Sequence, residues 1–265
     1  MEAAEVNAKI AELRKKGSRV LTNSYGHYTW DIAIEAYFSE DSLVLVDVDN
    51  GVHRIFFYTV NADDLIPVIY EMPDSVGYCL EIVSKNRDEY KELLLKSGFE
   101  PLAFMMRMAN PDIGELLNSP DGVMRYFNSR YGIRATREDA HAINDVFWKV
   151  FDTRVSHLLS DELLKQVIDN EQVIVERFDN QIKAILQYQK EPRKFYINQI
   201  YNRMQREVIH SILIKELQEY YKNGGKYLYA WVQEDNLSSV KFHSKYGMVH
   251  DGLWNIVYVR ENANK

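Results

Sequence analysis

From Lys226 to Met248 the chain reads KYLYAWVQEDNLSSVKFHSKYGM. Tyr227, Tyr229 and Trp231 alternate with Leu228, Ala230 and Val232, the period-2 pattern of a strand buried on both faces. The polar run Gln233, Glu234, Asp235, Asn236 ends that strand. Beyond it Ser239, Phe242, His243 and Tyr246 keep the i, i+3, i+4, i+7 spacing of one helix face, and Gly247 stands where a helix stops in the left-handed conformation. A buried strand therefore delivers a helix led by Asn236 whose inner face carries a histidine.

Upstream, Ile209, Leu213, Leu217 and Tyr220 line one face of a helix that Gly224 and Gly225 end. Before it come extended runs at 173–178, 182–189 and 195–201, the first two joined by Asp179-Asn180 and the last two by a turn around Pro192. Thr136 with Asp139 makes a capping-box start to a helix striped by Ala140, Ile143, Phe147, Val150 and Phe151, and a shorter helix covers 160–168. Residues 252–260 form an extended tail. The first half opens on a helix over 2–16, followed by an ambiguous aromatic segment at 21–39. Strands at 42–48 and 53–60 flank the hairpin turn Asp49-Asn50-Gly51. A helix at 62–70, a strand at 77–83, a helix at 86–96 and an extended run at 99–108 complete it. Pro111, Gly114, Pro120 and Gly122 punctuate 110–132 like a linker.

The halves repeat one another. Tyr78, Leu80, Ile82, Leu93 and Gly98 fall on Tyr227, Tyr229, Trp231, Phe242 and Gly247 at an offset of 149, while Asp49-Asn50 falls on Asp179-Asn180 at an offset of 130. The 19 residues between these offsets predict that the first copy lacks a strand or most of its central helix. The expected class is α/β (α+β), with two domains at 1–112 and 133–265 and a linker at 113–132. Each domain is expected to hold a mixed, mostly antiparallel sheet flanked by helices.

Composition narrows the function. With 265 residues, 46% hydrophobic and 27% charged, the chain is globular, and its net charge of −7 gives no basic surface for general nucleic-acid binding. The single Cys79 lies in an apolar run and reads as core. No apolar stretch is long enough to span a membrane, and the N-terminus lacks the apolar core of a signal peptide, so a cytoplasmic protein is expected. Oligomeric state stays open. The histidines His27, His53, His141, His157 and His250 show no metal-ligand spacing, and no metal is expected.

The order Asn236, Ser239, Phe242, His243, Gly247-Met248 resembles the last helix of the GNAT superfamily of acetyltransferases, with His243 at the family's Tyr position and Met248 at its Phe. The resemblance covers about 133–260, and more weakly 1–108, and implies a tandem arrangement with a degenerate first copy. It implies acetyl-CoA as co-substrate, held at a strand, a glycine-rich turn and a helix N-terminus. Unpaired N–H groups and the helix dipole favour phosphate there. The corresponding run here is Gln205-Arg206-Glu207-Val208-Ile209-His210. Gln205 matches, but Val208 and His210 stand where glycines belong, and a Val side chain there is expected to crowd a phosphate. The strands 195–201 and 227–233 are expected to diverge, so that Ile200 and Asn202 offer backbone to the pantetheine arm, with Asn236 and Ser239 at the next helix. His243, when protonated, would take the Tyr's role as acid toward the leaving thiolate, and Glu234 or Asp235 would serve as base. Tyr196, Tyr227, Tyr229, Trp231 and Trp254 are candidates for an acceptor pocket. The implied activity is N-acetylation of a small or peptide amine. The alternatives are a transferase with another acyl donor, such as an aminoacyl-tRNA, and a silent relative that binds CoA, a metabolite or a protein.

Overall fold

In a computed structural model, residues 1–17, 19–24, 35–119, 123–128 and 130–262 are described. His27 and much of the ambiguous 21–39 segment lie outside them, as do Pro120 and Gly122. The first part of the chain forms α1 (Ala3–Lys16), β1 (Leu21–Thr22), β2 (Glu35–Phe38), β3 (Ser42–Asp49), β4 (Val52–Thr59), α2 (Ala62–Tyr70), β5 (Tyr78–Ser84), α3 (Lys91–Lys96) and β6 (Glu100–Asn110). Then come α4 (Gly114–Asn118), a 3-10 turn at Val123–Tyr126, β7 (Ile133–Arg134), α5 (Ala140–Val150), α6 (Asp161–Asp169), β8 (Val173–Phe178), β9 (Gln181–Lys190) and β10 (Lys194–Asn202). The chain closes with α7 (Arg206–Lys222), β11 (Tyr227–Gln233), α8 (Leu237–Ser244) and β12 (Val249–Arg260). No described helix is long and apolar enough to cross a membrane.

The chain divides into two compact units, residues 1–104 with 254–265, and residues 105–253. In unit 1 the strand order is β2-β3-β4-β5-β12, antiparallel except for the β4–β5 pair. In unit 2 it is β6-β11-β10-β9-β8-β7, antiparallel except for β10–β11. Each unit is thus a mixed, mostly antiparallel sheet with helices packed on it, the class the sequence predicts.

The unit boundaries differ from the expected division at 112 and 133. The last strand of each sequence half pairs in the other half's unit: residues 105–110 of β6 with β11, and 254–260 of β12 with β5. The expected linker is not a linker, because Ile113 and Val123 are buried in the core around α7 and Ser211 Oγ donates to the Asn128 carbonyl at 2.7 Å. That cover explains why α7 is buried on nearly every face rather than along the single stripe that the periodicity predicts.

The offset of 149 holds in the registers. Ser84 faces Trp254 in unit 1 and Gln233 faces Met105 in unit 2; Cys79 faces Val259 and Leu228 faces Asn110. Each unit-1 pair maps onto a unit-2 pair by that one number. The hairpin anchor at 130 does not hold. Topologically the β3–β4 turn matches the β9–β10 turn near Pro192, because β4 and β10 are the strands parallel to β5 and β11. Asp49-Asn50 and Asp179-Asn180 look alike because both are tight hairpin turns; Asn50, Gly51, Asp179 and Asn180 all have positive φ. His53 pairs with Tyr78 where Lys194 pairs with Tyr227, an offset of 141 before the helix and 149 after it. The difference is the difference between α2, with 9 residues, and α7, with 17. Unit 1 thus repeats the strand order around its parallel pair with a shorter connecting helix, and no described strand of it stands beyond β2 where β7 stands beyond β8.

Candidate active site cleft

β10 and β11 pair in parallel only from Lys194–Ile197 with Tyr227–Ala230. Past Ile197 the two strands part, and a register shift between Ile197 and Gln199 in the β10–β9 ladder marks a bulge at Asn198. Gln199–Asn202 stay bonded to β9 and Trp231–Gln233 stay bonded to β6, so both strands are held from behind while their facing edges are left open. The expected divergence of the two strands is present. A cavity of about 1110 Å³ opens at this split, lined by residues of unit 2.

Of the expected cofactor residues, Ile200, Asn202, Arg206, Ile209, His210, Asn236 and Ser239 line the cavity. Gln205 and Val208 do not. Gln205 is an exposed N-cap whose side chain makes no cap bond to the first N–H groups of α7. Val208 is 2% exposed and packs among Ile212 and Tyr246, so it faces the core and does not crowd a phosphate as expected. Asn236 accepts from Ser239 N at 3.0 Å and so caps α8, which fixes the start of the helix carrying His243. Gly247 ends that helix at φ 66°, and Asn110 Nδ2 donates to the adjoining Tyr246 carbonyl at 2.8 Å.

The two lining histidines are both buried. His210 stacks between Tyr126 (4.7 Å, 17°) and Phe242 (4.8 Å, 19°), and its Nδ1 lies 2.7 Å from Tyr246 Oη. Its Nε2 is buried without a partner. Burial, reinforced by Lys245 and Arg206, lowers its pKa to about 4. Arg125, Arg206 and Lys245 all lie within 6 Å of the Tyr126 ring centre, at 4.8, 5.5 and 5.8 Å. The hydrogen bond from Arg125 and these cations lower the phenol's pKa. His243 has a buried Nδ1 with no partner, and burial lowers its pKa to about 4. Burial thus favours the uncharged ring over the imidazolium acid expected from the sequence. Glu234 and Asp235 sit on the turn after β11 and are not among the lining residues.

Several lining residues went unnoticed in the sequence. Lys241 and Lys245 join Arg206 as cations, and Met105, Val150, Phe151, Asp152, Val155 and Ser156 come from β6 and the α5–α6 segment. The i, i+4 spacing of Lys241 and Lys245 on the helix of His243 is a signal that could have found those two. Asp152 is the one carboxylate among the described lining residues. It accepts from Arg154 N at 2.9 Å and Arg154 Nη2 at 2.7 Å, and the Arg154 guanidinium holds its pKa down. Of the acceptor aromatics, Trp231 lines the cavity, Tyr196 and Tyr229 stack at 4.9 Å on the same sheet, and Trp254 belongs to unit 1.

No protein-family profile matches the chain, and no curated protein matches it in sequence. Solved structures do match in fold. A GCN5-related N-acetyltransferase from Sphaerobacter thermophilus superposes with a TM-score of 0.56 at 12% identity, over 83% of this chain and 76% of that one. An acetyltransferase assigned to the GNAT family from Novosphingobium aromaticivorans gives 0.52 at 11%, over 84% and 90%. The GCN5-related glucosamine N-acetyltransferase region of a fungal multi-domain β-N-acetylglucosaminidase gives 0.58 at 10%, over 82% of this chain and 31% of that one. With a parted pair of parallel strands at the head of a cavity and a helix N-terminus beside it, the chain has the GNAT fold.

Proposed function

We propose that the protein is an N-acyltransferase that takes an acetyl group from acetyl-CoA to a primary amine, with its one active site in the cleft of unit 2 and unit 1 as a degenerate second copy. The observation that carries this reading is a cationic cavity at the split between β10 and β11. Its described lining holds Arg206, Lys241 and Lys245 against the single, Arg-engaged Asp152, on a chain of net charge −7. Such local reversal of sign fits a polyanionic ligand.

The residues fit this donor. The open edge of Gln199–Asn202 offers backbone N–H and C=O groups to an extended arm, in the way a strand adds to a sheet edge. The first turn of α7, with Arg206 and Lys245, offers donors and positive charge to phosphates. The buried, unpartnered Nε2 of His210 and Nδ1 of His243 are two further polar atoms left for a ligand. Acetyl-CoA supplies an activated thioester. A neutral His243 supplies one hydrogen bond in a site screened from water, where it counts for more than in bulk. With Asp152 engaged by Arg154 and the cavity wall cationic, an ammonium is disfavoured and the acceptor enters as the free amine. A second reading, donor binding without turnover, rests on the same absence of a free carboxylate among the described lining residues.

The test is a thermal-shift titration with acetyl-CoA and CoA followed by assay of CoA release over an amine panel. Donor at 100 times its Kd is expected to stabilise the fold by about 2.7 kcal/mol. No shift at millimolar donor removes the reading. A shift without release by any amine favours the binding protein.

A further inference from the structure

The lining divides by element. The lining cations come from α7 (Arg206), α8 (Lys241) and the C-cap of α8 (Lys245), whereas Val150, Phe151, Val155, Met105 and Trp231 come from the α5–α6 segment, β6 and β11. From this division we infer that the acceptor is a primary amine carried on an uncharged, planar apolar body, bound against Trp231 and Phe151. This deepens the transferase reading and rests on it.

Three observations carry the inference. First, the acceptor end has no free carboxylate for a second ammonium among the described residues. Asp152 builds its own loop instead, accepting four hydrogen bonds from Arg154 while its carbonyl accepts from Ser156 N at 2.8 Å. A polyamine or a basic sugar would leave a charge uncompensated there. Second, no described cation of that end is free for a carboxylate. Arg107, opposite Trp231 in the β6–β11 ladder, is held by Asp251 at 2.7 Å. An amino acid would therefore leave its carboxylate unpaired. Third, the wall continues as an aromatic row. Tyr227, Tyr229 and Trp231 share one face of β11, all half-buried, and Tyr196 stacks on Tyr229 with the rings 16° from parallel. Trp231 is the first of the row beyond the last β10–β11 pair, so it turns from covering the sheet to facing the cavity. Phe151, held edge-on by Phe147 at 5.5 Å, supplies a second ring.

The experiment compares initial rates of CoA release from acetyl-CoA with phenethylamine, tryptamine, spermidine, lysine and glutamate, on the full chain and on Trp231→Ala. The expected result is a kcat/KM at least tenfold higher for the two aryl amines, and a KM for them raised about tenfold in the variant with kcat nearly unchanged. Spermidine, lysine or glutamate turned over as well as the aryl amines overturns the inference while leaving the transferase reading intact. A variant whose aryl-amine KM equals that of the native chain also overturns it. If no amine is turned over, equilibrium binding of tryptamine and spermidine to the acetyl-CoA-loaded protein decides the same question. Preferential tryptamine binding that Trp231→Ala removes supports the inference, and equal or weaker binding contradicts it. A protein that does not bind acetyl-CoA contradicts the transferase reading, and this inference with it.

Discussion

The N-terminus of α2 in unit 1 and that of α7 in unit 2 occupy the same place in the same connection order, between the two parallel strands. Their chemistry is opposite. At α2, Asn61 Oδ1 accepts from Asp63 N at 3.2 Å, and Asp63 and Asp64 fill the first turn, so the positive end of the helix is already answered by its own side chains. At α7, Gln205 makes no cap bond, Arg206 follows, and Lys245 and Arg125 gather near the same Tyr126 ring; Glu207 is the one acidic residue of that turn, 3.9 Å from Arg206. The offset of 149 sharpens the contrast, since Leu94, fully buried, stands where unit 2 has His243, and Ile82 where it has Trp231. The difference is that the α2 end is answered by its own side chains while the α7 end has cations beside it, so an anion is expected at α7 and not at α2.

The comparison can be broken first at the support of α7. Glu216, 3% exposed, accepts from Tyr188 Oη at 2.6 Å and lies 3.0 Å from Arg134 Nη1, an anchor that ties the helix to the sheet. Arg134→Ala leaves that carboxylate without its cation and is expected to lower stability by about 3–5 kcal/mol, read from urea unfolding. Next, Arg206→Glu with Lys245→Glu is expected to weaken acetyl-CoA binding about 100-fold, roughly 2.7 kcal/mol, measured by calorimetry. Lysine placed in α2 by Asp63→Lys with Asp64→Lys is expected to create no second site, because the shortened helix still ends on the Asn61 cap.

A third outcome concerns pH. The pKa values of His210 and His243 lie near 4 in the folded chain, against about 6.5 unfolded. Their neutral burial therefore contributes stability that is fully present above about pH 6.5 and is lost as pH falls toward 4. At pH 5 the loss is about 2 kcal/mol per histidine. His243→Leu is expected to flatten the fall of the urea midpoint between pH 7 and 5, and an unchanged slope contradicts the assignment. The smallest effect is Asn61→Ala, which is expected to cost about 1 kcal/mol and leave acetyl-CoA affinity untouched.

Much of this was legible in the sequence, for identifiable reasons. Alternation at Tyr227–Val232 and the Asn236-led helix are local signals, and the strand and helix they predict are present, as is the split between β10 and β11. The repeat was legible at 149 because buried strand residues keep their register. It was misread at the hairpins, because a two-residue turn demands positive φ and selects Asp, Asn and Gly wherever it occurs. The exchange of last strands was illegible, since nothing within β6 or β12 names its partner. Site residues divided in the same way. Arg206, His210 and His243 follow a motif, whereas Phe151, Asp152 and Met105 reach the cavity from segments far off in sequence. The neutrality of the two histidines depends on burial, which no spacing reports.

The most direct test of a single, charge-defined donor site is the stoichiometry of acetyl-CoA binding by isothermal titration calorimetry on the full chain. The account predicts one acetyl-CoA per chain, with the affinity about 100-fold weaker in Arg206→Glu with Lys245→Glu. Two molecules per chain, or one that the double variant still binds with native affinity, would contradict it.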